Sequence, residues 1–225
     1  MEPVDCKKFG HFICHFVFAD NKKEFIKLTN LDLLQVLKHH LKKLENIFDF
    51  KSDIDLILLE EKSLVIEEYG ISGFTPRNDL IYIYFDTGFK DLNQTIKKYL
   101  PPTLAHECHH AIRWENIGYG ETLFEEIVTE GVATAFEVEY GGFVTLHAKA
   151  LTKRQENKMW KKIKPLLNSK NFDHNAWFFG DKQIPRWTGY HLGYKLAKKY
   201  LEQHPEYTAA GLAYIKASEF LAVEL

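Results

Sequence analysis

Residues Thr103–Arg113 read TLAHECHHAIR, and the chemistry packed into this stretch decides what the rest of the chain has to build. His106 and His110 stand four positions apart with Glu107 between them, the pattern H-E-x-x-H. On a helix, residues i and i+4 project from one face, so both imidazoles reach toward one ion and the glutamate lies beside them. At about 100° per residue, Leu104, Ala105, Cys108, Ala111 and Ile112 gather on another side. One face therefore packs on a core while the other presents the pair. His109 and Arg113 fall with the polar face, exposed or in support of the ligands, and Cys108 falls with the packing residues. Pro101-Pro102-Thr103 marks the helix start, because proline is tolerated in a first turn. The competing reading is a surface helix with a solvated, histidine-rich face, and the five-residue motif alone does not separate the two.

Downstream, Glu121–Glu137 (ETLFEEIVTEGVATAFE) repeats the helical pattern, with Leu123, Phe124, Ile127, Val128, Val132, Ala135 and Phe136 on one side. Glu126, Glu130 and Glu137 run along another stripe. Glu130 follows His110 with 19 residues between them, giving H-E-x-x-H-x19-E. Two histidines and one carboxylate leave a fourth position for water, the catalytic type of zinc site, with His106, His110 and Glu130 as ligands. Gly131 supports that choice: a glycine inside a helix costs about 0.5–1 kcal/mol relative to alanine, and close approach of the two metal-bearing helices accounts for keeping it. Glu126, one turn earlier, is the alternative ligand or orients a ligand imidazole. A plain solvated charge is the other reading of Glu130.

Hydrolysis also needs a donor for the developing oxyanion. Tyr190 and Tyr194, one turn apart on a helix expected to run to Leu201, are the candidates, with Tyr190 preferred and His191 as an alternative. Arg186 suits a substrate carboxylate, with a solvated charge at a helix start as the other reading. Both tyrosines also read as amphipathic packing residues. The histidines at 11, 15, 39, 40, 147, 174 and 204 show no paired ligand spacing.

Upstream the pattern changes to short apolar runs. Phe12–Phe18, Ile54–Leu59 and Leu80–Phe85 (LIYIYF) read as strands, Tyr69–Thr75 as an irregular or edge strand, either able to receive a peptide by strand addition or plainly structural, and Pro76–Asp79 as a turn. Leu31–Phe48 reads as an amphipathic helix, and from Leu92 onward the pattern is almost wholly helical. Strands first and helices second predict an α+β fold.

The 225 residues fit a single domain spanning 1–225, with residues 1–50 forming an N-terminal strand and helix. With 29 Lys and Arg against 31 Asp and Glu, the formal charge of −2 gives no electrostatic case for a nucleic-acid partner. Three unpaired-looking cysteines (Cys6, Cys14, Cys108) suit a reducing compartment. The apolar run Phe9–Ala19 is broken by His11 and His15 and has no small-residue cleavage site, so it reads as a strand rather than a leader. No stretch reaches the roughly 20 apolar residues of a spanning helix. The expectation is a cytoplasmic protein with no membrane partner.

Three segments, Thr103–Arg113, Thr122–Ala133 (TLFEEIVTEGVA) and Trp187–Tyr194 (WTGYHLGY), resemble the predicted zinc-dependent proteases of the YjaZ type. Gly73-Phe74-Thr75-Pro76 ahead of a strand resembles the family too, and the likeness covers residues 50–205. Glu130–Ala133 is similar to the tetrad that supplies the third ligand in gluzincin aminopeptidases. The resemblance implies a zincin-like fold, a small mixed sheet packed on the metal-binding helix, one Zn2+ per chain, and hydrolysis of a peptide or protein substrate by a metal-activated water with Glu107 as general base. Two readings compete with it. One is a catalytically silent zinc-binding regulatory or interaction module; the other is a metal-free helical interaction protein in which the motif is accidental. Glu107 favours hydrolysis over the silent module, because it is not needed to hold metal.

Overall fold

Period-two alternation builds the N-terminal half. In Phe12–Val17, Ile54–Glu60 and Leu80–Phe85 every second residue is buried, as in a sheet with one face on a core. The computed structural model, which describes residues 5–17 and 33–225, makes these segments β2, β3 and β5 and adds β1 (Asp5–Phe9) and β4 (Ile71–Arg77). The strand order is β1-β2-β3-β5-β4. β2–β3 and β3–β5 are parallel, while β1–β2 and β4–β5 are antiparallel hairpins. The sheet is therefore mixed, as the α+β reading requires. Its core face is lined by Phe12, Cys14, Leu56, Ile81, Ile83 and Phe85 among others.

β1 is missing from the sequence reading. It pairs with β2 through the two-residue turn Gly10-His11, and Gly10 has the positive φ (58°) that such a turn demands. Part of the apolar run Phe9–Ala19 is thus the strand β2. Phe18 and Ala19 lie outside the described residues, as do Leu31 and Asp32 of the expected first helix. That helix, α1, is described over Leu33–Glu45, shorter at its C-terminal end than the expected span. It buries Leu33, Leu37, Leu41 and Leu44, and Lys42 and Lys43 in its last turn complement the helix dipole.

β4 is an edge strand, as expected, but it continues through Pro76 to Arg77, leaving only Asn78-Asp79 for the turn. An edge strand tolerates the missing N–H of proline, and the register shifts between Phe74 and Arg77, where the proline sits. Ile71, Gly73 and Thr75 share one face, and Phe74 on the other is 53% exposed.

A short helical segment (Leu92–Gln94) and a π turn (Thr95–Tyr99) lead without a break into α2 (Leu100–Asn116). The proline pair therefore does not open the helix. Pro101 and Pro102 cannot donate to the preceding turn, and the backbone widens there, with the Leu100 N–H reaching back to the Thr95 carbonyl. α3 (Leu123–Gly141) begins two residues later than expected, because Thr122 caps it. The Thr122 hydroxyl accepts from the Glu125 N–H while the Glu125 carboxylate accepts from the Thr122 N–H. Every residue from Leu123 to Val138, apart from Glu125, Glu126 and Val138, is buried, so α3 is a central helix. α4 (Lys153–Ile163), α5 (His174–Phe179) and α6 (Thr188–Gln203) complete the mostly helical half. Packing divides the chain into two compact units, with the division between Ile112 and Arg113, inside α2. Among the described residues no helix is long and apolar enough to cross a membrane.

Gly131 does permit a close helix approach, but its neighbour is α6 rather than the histidine-bearing helix. A Cβ on Gly131 would lie 2.1 Å from the Gly193 carbonyl carbon, and one on Gly193 would lie 2.1 Å from the Ile127 carbonyl oxygen. Backbone meets backbone here, so no side chain can move aside. In an ordinary helix Gly→Ala stabilises by about 0.5–1 kcal/mol. Gly131→Ala should instead destabilise by about 1–3 kcal/mol, as overpacking does. Urea titration measures the sign, and a gain in stability would show that α3 and α6 separate freely.

Candidate metal centre and catalytic residues

α2 buries its functional side chains. His106, Glu107 and His110 are each less than a tenth exposed. The Nε2 atoms of His106 and His110 lie 3.0 Å apart, and the ring centroids 4.6 Å apart. Nitrogens bound to one tetrahedral zinc at about 2.0–2.1 Å stand about 3.3 Å from each other. The pair is thus within a few tenths of an ångström of a chelating arrangement, and imidazole nitrogens are ordinary zinc ligands. The donor chemistry fits the ion. His109, expected on a polar face, is instead fully buried with its ring centroid 6.1 Å from that of Phe48, because α2 packs on more than one side. Cys108 packs as expected. Burial, followed by the charges of Glu107 and Glu45, pushes its thiol well above the usual range, which makes it unreactive.

Glu107 is held by β4. The Thr75 hydroxyl donates to its Oε2 at 2.7 Å and also lies 3.2 Å from its backbone carbonyl. Two residues earlier on the same strand face, Gly73 leaves the room that the carboxylate occupies: a Cβ there would lie 2.4 Å from the Glu107 Cγ. In the sequence Gly73 and Thr75 stand out only as members of the expected strand Tyr69–Thr75 and of the family resemblance. Their i, i+2 spacing on an edge strand was the available signal. Tyr84 on β5 stands nearby; burial, then Tyr82 and then Glu107 raise its phenol.

In the second unit, α3 carries the expected acidic stripe, and each carboxylate has a different partner. Glu130 is 4% exposed and its Oε1 accepts the Tyr119 hydroxyl at 2.5 Å. Glu126 Oε2 lies 2.7 Å from Nδ1 of His174, and this bond raises the His174 pKa above its ordinary value. Glu137 Oε2 lies 2.7 Å from Nε2 of His147, which also meets the Thr145 hydroxyl at 3.1 Å. Tyr119, His147 and His174 were all missed, since their contacts span 10 to 48 residues with no periodic signal. Arg113, assigned to the polar face, is 1% exposed. It donates to the Thr129 hydroxyl and to the carbonyls of Leu212 and Ile215. Burial lowers its pKa to about 10, which leaves it charged near neutrality.

α6 brings the remaining candidates. It is preceded by Trp187 at the cap position, whose left-handed backbone (φ 62°) is unusual for so bulky a residue, and the Arg186 guanidinium stacks 3.8 Å from the Trp187 ring centroid. Tyr190 is half-buried, with ring centroids 5.3 Å from His147 and 5.4 Å from Phe178. Burial raises the Tyr194 phenol, keeping it a neutral donor. His191 has both ring nitrogens engaged: Nδ1 accepts the Leu151 N–H and Nε2 meets Glu156.

Comparison with known families agrees with this chemistry. Residues 33–222 match the family described as "Predicted Zn-dependent protease (DUF2268)", a longer span than the 50–205 of the sequence resemblance. No curated protein and no solved structure matches. The family description implies zinc dependence and a peptide or protein substrate, and the matched span contains α2, β4, α3 and α6 in full. The chain therefore belongs to the family of predicted Zn-dependent proteases.

Proposed function

We propose that this chain is a gluzincin-like zinc peptidase, with His106, His110 and Glu130 holding one zinc ion and Glu107 acting as general base. The observation that carries the reading is the support given to Glu107. A metal-binding module needs His106 and His110 but has no use for a glutamate beside them fixed by Thr75 and accommodated by Gly73. That support favours hydrolysis over the catalytically silent module. Zinc, when bound, acts as a Lewis acid and brings the pKa of water down to about 7.

Glu107 handles the protons. With Oε2 accepting from Thr75, the carboxylate takes a proton from the attacking water and delivers it to the nitrogen of the departing amine. Tyr190 is the proposed oxyanion donor, with Tyr194 one turn away as the alternative. The engagement of both His191 nitrogens supports the tyrosines over that histidine. Glu126 acts through His174 rather than as a ligand, and Arg186 stacked on Trp187 is a candidate for a substrate carboxylate. The outer edge of β4, next to the strand face that holds Glu107, suits an extended peptide added as a further strand. The free cysteines support a cytoplasmic setting.

Purified protein should carry about one zinc per chain, removable by chelators. Glu107→Gln should keep that zinc and lose at least about 10²–10⁴-fold in turnover, the contribution of a general base. Elemental analysis paired with peptide-library cleavage measures both, and metal-free wild-type protein would end the reading. Thr75→Val should lower turnover by roughly 10–100-fold with unchanged zinc content, the usual scale for a residue that orients a functional group, and Thr75→Ser should restore it. Full activity in Thr75→Val would show that Glu107 needs no support from β4.

A further inference from the structure

Tyr119 sits in the segment between α2 and α3, flanked by Gly118 and Gly120 with φ of +93° and +118°. Side-chain-bearing residues rarely adopt either conformation, so the Gly-Tyr-Gly segment has a backbone shaped around one tyrosine. That tyrosine is fixed from several directions. Its ring lies against Trp114, with centroids 5.5 Å apart. Its carbonyl accepts the Thr129 hydroxyl at 2.7 Å, and Thr129 is the neighbour of Glu130 on α3. The Thr129 oxygen in turn accepts the Arg113 Nε–H at 3.1 Å. Arg113 also closes the segment at its start, its carbonyl accepting the N–H groups of Ile117 and Gly118. The far end of its guanidinium is tied to the carbonyls of Ile215 (2.7 Å) and Leu212 (3.3 Å). The outcome of this chain is a single contact, the Tyr119 hydroxyl on Oε1 of Glu130 at 2.5 Å.

We infer that Tyr119 is a positioning residue for Glu130, and that Arg113 and Thr129 act through Tyr119 to hold the Glu130 carboxylate in one orientation; the inference rests on Glu130 being a zinc ligand. A glutamate has three side-chain torsions, and an unrestrained carboxylate must be ordered each time it binds an ion. A phenol on Oε1 removes that freedom in advance. Arg113 and Thr129 are each 1% exposed, so the chain is anchored in packed structure rather than in solvent.

The test is zinc affinity, measured by competition with a chromophoric chelator on the full chain, with melting of the metal-free protein as the control. Tyr119→Phe removes one oxygen and keeps the ring on Trp114. It should weaken zinc binding by roughly 10–100-fold while melting of the metal-free protein stays unchanged. In a Glu130→Gln background the same substitution should cost nothing further, because Tyr119 acts only through Glu130. Thr129→Ser should bind zinc as wild type does, and Thr129→Val should follow Tyr119→Phe. Wild-type affinity in Tyr119→Phe, or an equal further loss in the Glu130→Gln background, overturns the positioning role. Undiminished zinc binding in Glu130→Gln overturns the ligand assignment itself, and the two failures are told apart by which variant fails.

Discussion

A buried carboxylate has to be hydrogen-bonded, and the glutamate of an H-E-x-x-H helix also has to be reachable. Glu107 meets the first demand through a strand rather than through its own helix. The Thr75 hydroxyl supplies the bond and Gly73 supplies the space, from one face of β4. This sets the register of β4 with no slack. A slip of one residue would turn Gly73 and Thr75 to the opposite face and drive Phe74 toward the helix. β4 is fixed in turn by its pairing with β5, and β5 by β3, so the sheet up to β2 is the frame that keeps one carboxylate in place.

The second unit solves a related problem on α3. Burying glutamates on a central helix is costly unless each is bonded. Glu126 and Glu137 are matched with histidines, and Glu130 with a phenol. The difference matters chemically. A histidine partner forms an ion pair when protonated, whereas a phenol adds a hydrogen bond without bringing a positive charge beside the carboxylate proposed to hold the metal. The Gly131–Gly193 crossing then sets how near the tyrosines of α6 come to this stripe.

The parts of the molecule that form apolar runs or helical stripes were legible in the sequence. Short apolar, β-rich runs gave β2, β3 and β5 almost to the residue, and helical spacing gave α1, α2 and the stripe on α3. What escaped was set by pairing or by long-range contact. β1 alternates too weakly to be noticed and exists because a tight glycine turn folds it back on β2. Pro76 reads as a turn residue until it is known to lie at an edge, where its missing N–H costs no ladder bond. Arg113 and His109 were assigned by a helical wheel to a polar face. A wheel identifies the apolar side but is blind to a second neighbour that buries the other side and supplies hydrogen bonds. Gly131 was read correctly as a contact point and assigned to the wrong neighbour, since composition reveals closeness and not identity.

β4 has one further consequence. A sheet edge left open for an extended chain is equally open to the edge of another copy, the geometry from which fibrils grow. Here the usable edge is short. Ile66 bridges Ile71 at one end, and at the other Pro76 lacks a donor just where the register shifts. About four residues, Ser72 to Thr75, remain between these stops, fewer than the six or seven that a self-propagating strand stack requires. The same two interruptions that bound the edge proposed for a peptide leave β4 too short to template such a stack.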